Sequence, residues 1–267
     1  VEHLVADPDN PSSIYNCFRN ARENARAIRF GLTSEVWNSL NSGWNELPAQ
    51  ISMLRTRKAY LAEFVDWVKV CQAQYRGSVE GTLVRDDGLE FLRIGSHLER
   101  ADATARILDV KYHVLLPSLG AIGGTLDHYQ WISLLQAVGV QRAYHFVTKS
   151  DVTRDGVAAF LIQNEVNPRS LSYSLYRVVQ SLTQLEEYYD RQTSCRIRAE
   201  VMLSGLRTAD IEQILTDGLH EYLTWFIESV SNLSHEIGLS FAFAPPLTVE
   251  DAEEKGETEG QTQSQGT

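Results

Sequence analysis

"GSHLERADATARILDVKYH", residues 95–113, is the stretch on which the fold turns. Leu98, Ala101, Ala105, Leu108, Tyr112 and Leu115 recur three and four positions apart, which lines one face of an α-helix with apolar side chains. Ala103, Ile107, Val110 and Val114 form a second apolar stripe on another side. Two polar seams separate them. The wider holds Glu99, Asp102, Arg106, Asp109 and His113, and the narrower holds Arg100, Thr104 and Lys111. A helix apolar on two sides packs on two sides, so one seam must take the water. Long basic side chains reach solvent most easily, so the narrow seam is expected to face out and the wide one in.

An inward seam of charges needs partners, because an unpaired buried charge is costly. Asp102 to Arg106 and Asp109 to His113 are favourable i, i+4 pairs. Three readings of the seam stay open: a solvated face laced with ion pairs, a buried structural network, or a functional cleft. In the third reading Glu99, Asp102, Arg106, Asp109 and His113 are the candidate catalytic residues, since carboxylates, arginine and histidine converging between apolar walls suit acid–base work.

Working outward, the periodicity predicts helix throughout. Asn10-Pro11 opens a helix running to about Arg29, because asparagine caps and proline tolerates the first helical position. Further helices are expected over about 34–46, stopped by Pro48, about 50–75, stopped by Gly77, and about 88–116, stopped by Pro117 and the loop "SLGAIGG". Shorter ones follow at about 126–138, 140–147 and 153–164, then long ones at about 168–203 and 208–237. No alternating β-branched run predicts a strand. The expected architecture is an all-α helical bundle.

The two Asn-Pro helix starts can be laid over each other. "HLVADPDNPSSIYNCF" (3–18) matches "FLIQNEVNPRSLSYSL" (160–175), with Leu4 over Leu161, Pro11 over Pro168 and Ser13 over Ser170. Capped amphipathic helices resemble one another, so the match stands between true duplication and shared capping. If the bundle is two pseudo-repeated halves, starting near 10 and near 167, the counterpart of the "LERAD" helix falls before Val1. The first half is then expected to lack about 60 residues at its N-terminus.

Arg19, Arg22, Arg26 and Arg29 share one face of the first long helix. At the corresponding positions of the second half stand Tyr176, Val179, Thr183 and Glu186, so the stripe belongs to the first half alone. Together with Arg100 these arginines are candidate binders of an anionic group; the alternative is a solvated basic face with Glu23 paired to Arg19.

Composition narrows the function. A 267-residue chain that is 43% hydrophobic can bury a large core, expected here over residues 1–245. A net charge of −11 argues against a broad nucleic-acid surface. The segment "TVEDAEEKGETEGQTQSQGT" carries six acids against Lys255 with little to bury, so 246–267 is expected to be a disordered acidic tail. Cys17, Cys71 and Cys195 have no CxxC spacing; Cys17 and Cys71 fall at apolar helical positions and are expected in the core. No run suits a membrane span, and a cytoplasmic location is the default expectation. There is no GxxxxGK, GxGxxG, HExxH or GxSxG motif, and no Glu stands three residues before a His. No metal or intrinsic cofactor is therefore expected, and a nucleotide enzyme acting alone is disfavoured.

"GSHLERADATARILDVKYH", "DPDNPSSIYNCFRNARENARAIR" and "TSEVWNSLN" together resemble the bacterial alpha-E domain family, over about residues 1–240. The matching positions are Gly95, Glu99, Arg100, Asp102, Thr104, Arg106 and Asp109 in the later helix. In the earlier region they are Asn10, Pro11, Ser13, Arg22, Glu23, Asn24, Arg26, Glu35 and Trp37. The tyrosine- and tryptophan-rich first helix usual in the family has no counterpart here. The resemblance implies an all-helical domain encoded beside, or fused to, an ATP-grasp ligase-like protein, with transglutaminase-like and peptidase neighbours. It thereby implies a component of an ATP-dependent amide ligase, with ATP and Mg supplied through that partner. A non-catalytic adaptor and an autonomous hydrolase or transferase remain as alternatives.

Overall fold

The computed structural model describes residues 1–115 and 125–242, without the side chains of Lys58, 111–115, 125 and 126. Among the described residues every regular element is helical. The expected loop after Pro117 and the acidic tail lie outside them.

The chain divides into two compact units, residues 1–89 and 90–267. The first holds α1 (Glu2–Val5), α2 (Ile14–Ala27), α3 (Ser34–Thr56) and α4 (Leu61–Thr82). Val5, Leu47, Ile51, Leu54, Tyr60 and Phe64 form its core. Phe18 stacks on Trp67 with ring centroids 5.4 Å apart. Gly43 makes room for it: a Cβ there would come within 2.8 Å of the Phe18 ring.

Two expected stops are overridden here. α3 continues through Pro48, whose missing N–H and ring clash cost about 3 kcal/mol in a helix interior. Leu47, Ile51 and Leu54 on either side are buried, and burial of each contributes about 1.5–3 kcal/mol. Packing wins, and the chain turns instead at Arg57, in extended backbone, and a short 3-10 turn at Lys58–Tyr60. Gly77 likewise sits inside α4.

The second unit begins within α5 (Asp87–Leu115) and contains α6 (Thr125–Val138), α7 (Gln141–Thr148), α8 (Arg154–Ile162), α9 (Leu171–Tyr189), α10 (Ser194–Thr208), α11 (Ile211–Asp217) and α12 (Leu219–Ser240). One continuous core runs through it, including Leu98, Ala101, Ala105 and Leu108 of α5, Leu175, Val178 and Leu182 of α9, and Leu223, Phe226 and Leu233 of α12. The expected 168–203 helix is broken. Asp190 takes the left-handed conformation at φ 47°, and Thr193 caps α10 by accepting from the Arg196 N–H. The expected 208–237 helix breaks at Gly218, whose φ of 142° is open to glycine and strained for other residues.

The two Asn-Pro starts share their hydrogen bonds as well as their letters. Asn10 Oδ1 accepts from Ser12 N at 3.0 Å, and Asn167 Oδ1 from Arg169 N at 3.1 Å. Ser13 Oγ caps α2 through Asn16 N at 3.2 Å, and Ser170 Oγ caps α9 through Tyr173 N at 3.0 Å. Upstream, Asp7 and Asn164 make the same turn to the backbone two residues on. The helix therefore starts at Ser13 and Ser170, three residues later than Asn-Pro itself. The equivalence of the two turns extends over residues 7–16 and 164–173.

Glu186 ties the α9–α10 turn together. Its carboxylate accepts from the Thr193 N–H, from Thr193 Oγ1 at 2.8 Å and from Arg196 Nε at 2.5 Å. Burial raises its pKa, but the bonds from Thr193 and Arg196 outweigh that and hold the carboxyl below its usual range. A depressed carboxyl adds stability above its unfolded pKa and loses it as pH falls through the folded value. Glu186→Gln is expected to cost about 1.5–3 kcal/mol at pH 7 in urea unfolding, with the difference from wild type shrinking at pH 3.

Candidate functional site

α5 does not present its seams as the sequence suggests. Ile94, Leu98, Ala101, Ala105 and Leu108 are buried, as the first stripe requires. Ala103 and Val110 of the second stripe are exposed, and of its described side chains Ile107 alone packs partly against the core. Thr104, expected in water, is 3% exposed. Its hydroxyl donates to the Arg169 carbonyl at 2.9 Å, and Arg100 reaches the Pro168 carbonyl at 3.4 Å. These carbonyls belong to the turn that starts α9, where a proline and a cap leave backbone oxygens outside the helical ladder. The short narrow seam serves them, and the wide seam turns outward.

On that outer side Arg106 forms a two-pronged pair with Asp102, Nε to Oδ2 at 2.7 Å and a terminal nitrogen to Oδ1 at 3.0 Å. The bond to Asp102 holds the guanidinium above its usual pKa; burial opposes it, and the charges of Asp102, Glu99 and Asp109 add to it. All three carboxylates thus lie within electrostatic reach of Arg106. Exposure is graded across the seam: the Arg106 side chain is 62% exposed, Asp102 28% and Asp109 19%. Glu99 stands in the open.

Asp109 has a partner that no local spacing reveals. His220, in the first turn of α12, places Nδ1 2.7 Å from Asp109 Oδ1, across 111 positions of sequence. The expected partner was His113, whose side chain lies outside the described residues. Among the described residues the seam therefore carries three carboxylates, one guanidinium and an imidazole oriented by Asp109. Carboxylate-held imidazole is the arrangement that accepts and returns a proton.

The arginine stripe lies on α2 of the first unit and divides into two kinds. Arg22 bonds Asn41 Oδ1 at 3.0 Å and Glu23 at 2.9 Å, with its guanidinium 5.9 Å from the Trp37 ring centroid. Arg29 lies 5.3 Å from the same ring and donates to the Leu32 carbonyl. These two brace Trp37 by cation–π contact. Arg26 is 3.8 Å from Glu23 and otherwise exposed, and Arg19 is exposed. The expected Glu23–Arg19 pair is replaced by Glu23 with Arg22 and Arg26.

Cysteine placement also differs from expectation. Cys17 is exposed, while Cys71 is partly buried and its thiol is pushed up by desolvation and by the charge of Glu46. Among the described residues no group of three or more His, Cys, Asp and Glu side chains is arranged to hold a metal, and no helix is long and apolar enough to cross a membrane.

The two residues of "ER" and their neighbour Thr104 thus have separate jobs. Thr104→Val keeps the shape but removes the hydroxyl that donates to the Arg169 carbonyl, an expected loss of about 0.5–1.5 kcal/mol in urea unfolding. Glu99→Gln, on the open side, is expected to stay within about 0.5 kcal/mol of wild type.

The sequence pattern of the Alpha-E family, described as a predicted alpha-helical domain with a conserved ER motif, matches residues 1–241. The sequence holds a single Glu-Arg pair, Glu99-Arg100. No curated protein and no solved structure matched the chain. With nearly all of its described length inside that match, the chain belongs to the Alpha-E family.

Proposed function

We propose that this chain is the helical partner of an ATP-grasp-type amide ligase, and that the α5–α12 seam receives the amine that becomes the new amide nitrogen. The observation that carries the reading is the Asp109–His220 pair beside Glu99 and the Asp102–Arg106 couple. Three carboxylates against one guanidinium attract a cation, and Arg106 is already engaged by Asp102. An ammonium held there must lose a proton before its nitrogen can attack an activated carboxylate. His220, oriented by Asp109, is placed to take that proton. ATP and Mg act on the ligase, which activates the carboxylate; Arg19 and Arg26 are the outward arginines that could meet an anionic group. A transglutaminase-like neighbour would act on the same peptide products.

A second reading has an observation of its own. Arg22, Arg29 and Arg100 serve the fold, and a seam of surface ion pairs also suits an adaptor without chemistry. The readings part in a mixture of the chain with the ligase-like protein encoded beside it, followed by ATP turnover and mass spectrometry of peptide products. Asp109→Asn and His220→Gln are expected to lower product formation at least about 100-fold with the melting temperature nearly unchanged. Loss only in proportion to unfolding would establish the adaptor, and turnover by the chain alone would replace both readings with an autonomous hydrolase or transferase.

A further inference from the structure

α10 and α12 run side by side in the second unit, with α11 closing one end of the groove between them. At the other end Arg198 and Ser194 of α10 hold Glu236 of α12, with Arg198 at 3.1 Å. Along α10, Ser194, Arg198, Val201 and Gly205 follow helical spacing and share this face. Along α12, Glu221, Tyr222 and Trp225 do the same on the opposite wall.

The α11 end opens into a cleft of about 410 Å³. Gly205, Ile214 and Tyr222 line its floor, and Asp210, Asp217 and Glu221 line its rim. The apolar wall continues out of it: Val201, one turn before Gly205, is 67% exposed, and Trp225, in ring contact with Tyr222 at 5.7 Å, is 49% exposed. Val201 and Trp225 are large apolar groups facing water beside a preformed groove, which is how helix-in-groove and peptide-anchor sites are built.

The rim sets the charge of the occupant. Asp210 and Asp217 are engaged with Gln213, by its N–H and its side-chain amide, and none of the three carboxylates forms an ion pair among the described residues. Burial pushes the Tyr222 phenol up to about 12, so it stays neutral and adds no charge of its own. The chain's own acidic tail, with six acids against Lys255, has the wrong sign. From Arg198 to Gly205 the groove runs about 10 Å, at about 1.5 Å per helical residue, enough for two turns of helix or three extended residues.

From this juxtaposition we infer that the α10–α12 groove docks a partner-protein segment carrying one or two large apolar side chains flanked by lysine or arginine. The apolar side chains fill the cleft over Gly205, Ile214 and Tyr222, next to the exposed Val201 and Trp225, and the flanking cations meet Asp217 and Glu221. This surface is separate from the α5 seam, and its failure leaves the seam reading untouched.

The test uses the full chain and a fluorescein-labelled amphipathic 12-residue peptide of leucine and lysine, with a twin in which glutamine replaces lysine. A Cβ at Gly205 meets nothing within 4 Å, so Gly205→Trp fills the groove without disturbing the helix. Asp217→Asn with Glu221→Gln removes rim charge while sparing Asp210, which caps α11. By fluorescence anisotropy the leucine–lysine peptide is expected to bind wild type, with at least tenfold weaker binding by its glutamine twin, by Gly205→Trp and by the double variant. Asp66→Asn, which removes an exposed acid of the first unit, is expected to leave affinity unchanged. Equal binding to all variants, or no binding to wild type, would overturn the inference. So would sedimentation showing a wild-type dimer that Gly205→Trp dissociates, since the groove would then hold a second copy.

Discussion

The carbonyls of Pro168 and Arg169 leave the chain just before α9 begins, at a turn where proline has removed one amide and Ser170 has claimed the cap. Pro168 and Arg169 are themselves exposed, but the Arg169 carbonyl meets the buried Thr104 in a partly buried bond. Thr104 and Arg100 of α5 supply the donors. Together with the burial of Leu98, Ala101, Ala105 and Leu108, these bonds set the rotation of α5 about its own axis. With Thr104 and Arg100 turned to the turn, Leu98, Ala101, Ala105 and Leu108 meet the core, while Glu99 and Arg106 must face out. The outward seam follows from the same rotation that buries the apolar stripe and turns Thr104 to the α9 start.

The turn that makes this demand occurs twice. Asp7, Asn10 and Ser13 in the first unit and Asn164, Asn167 and Ser170 in the second build one hydrogen-bonded unit from matching letters. The arginines that follow the first copy have no equivalents after the second, and two of them brace Trp37. The two units thus share a way of starting a helix and differ in what the helix then does: α2 carries a basic face, while α9 buries one apolar stripe of Leu171, Leu175, Val178, Leu182 and Leu185 and leaves Tyr176, Tyr188 and Tyr189 exposed.

Much of the fold was legible because it rests on local rules. All-helical architecture and the extent of α5 follow from period and capping residues, while the Asn-Pro letters place both repeated starts three residues early because the Asn-Pro turn precedes the serine cap. Pro48 misled because a local penalty of a few kcal/mol is smaller than the burial of the Leu47, Ile51 and Leu54 stripe around it. The break between α9 and α10 was hidden because its device, Glu186 capturing Thr193 and Arg196, acts across seven to ten residues. At the site, the pair Asp102–Arg106 was readable from i, i+4 spacing. The partnership of Asp109 with His220 was not, since it depends on tertiary packing over 111 positions. The facing of the two seams was misread for a related reason: a threonine and an arginine on the narrow side look solvent-bound until the carbonyls they satisfy are known.

Two adjacent positions carry opposite expectations under this account, which makes the orientation of α5 directly measurable. With Cys17 and Cys71 replaced by serine and the buried Cys195 retained, Ala103→Cys and Thr104→Cys are each exposed to a thiol reagent under native conditions. The account predicts rapid modification at 103 and protection at 104. Protection at 103 with rapid modification at 104 would mean that the acidic seam faces inward and that the α9 turn is satisfied by other donors.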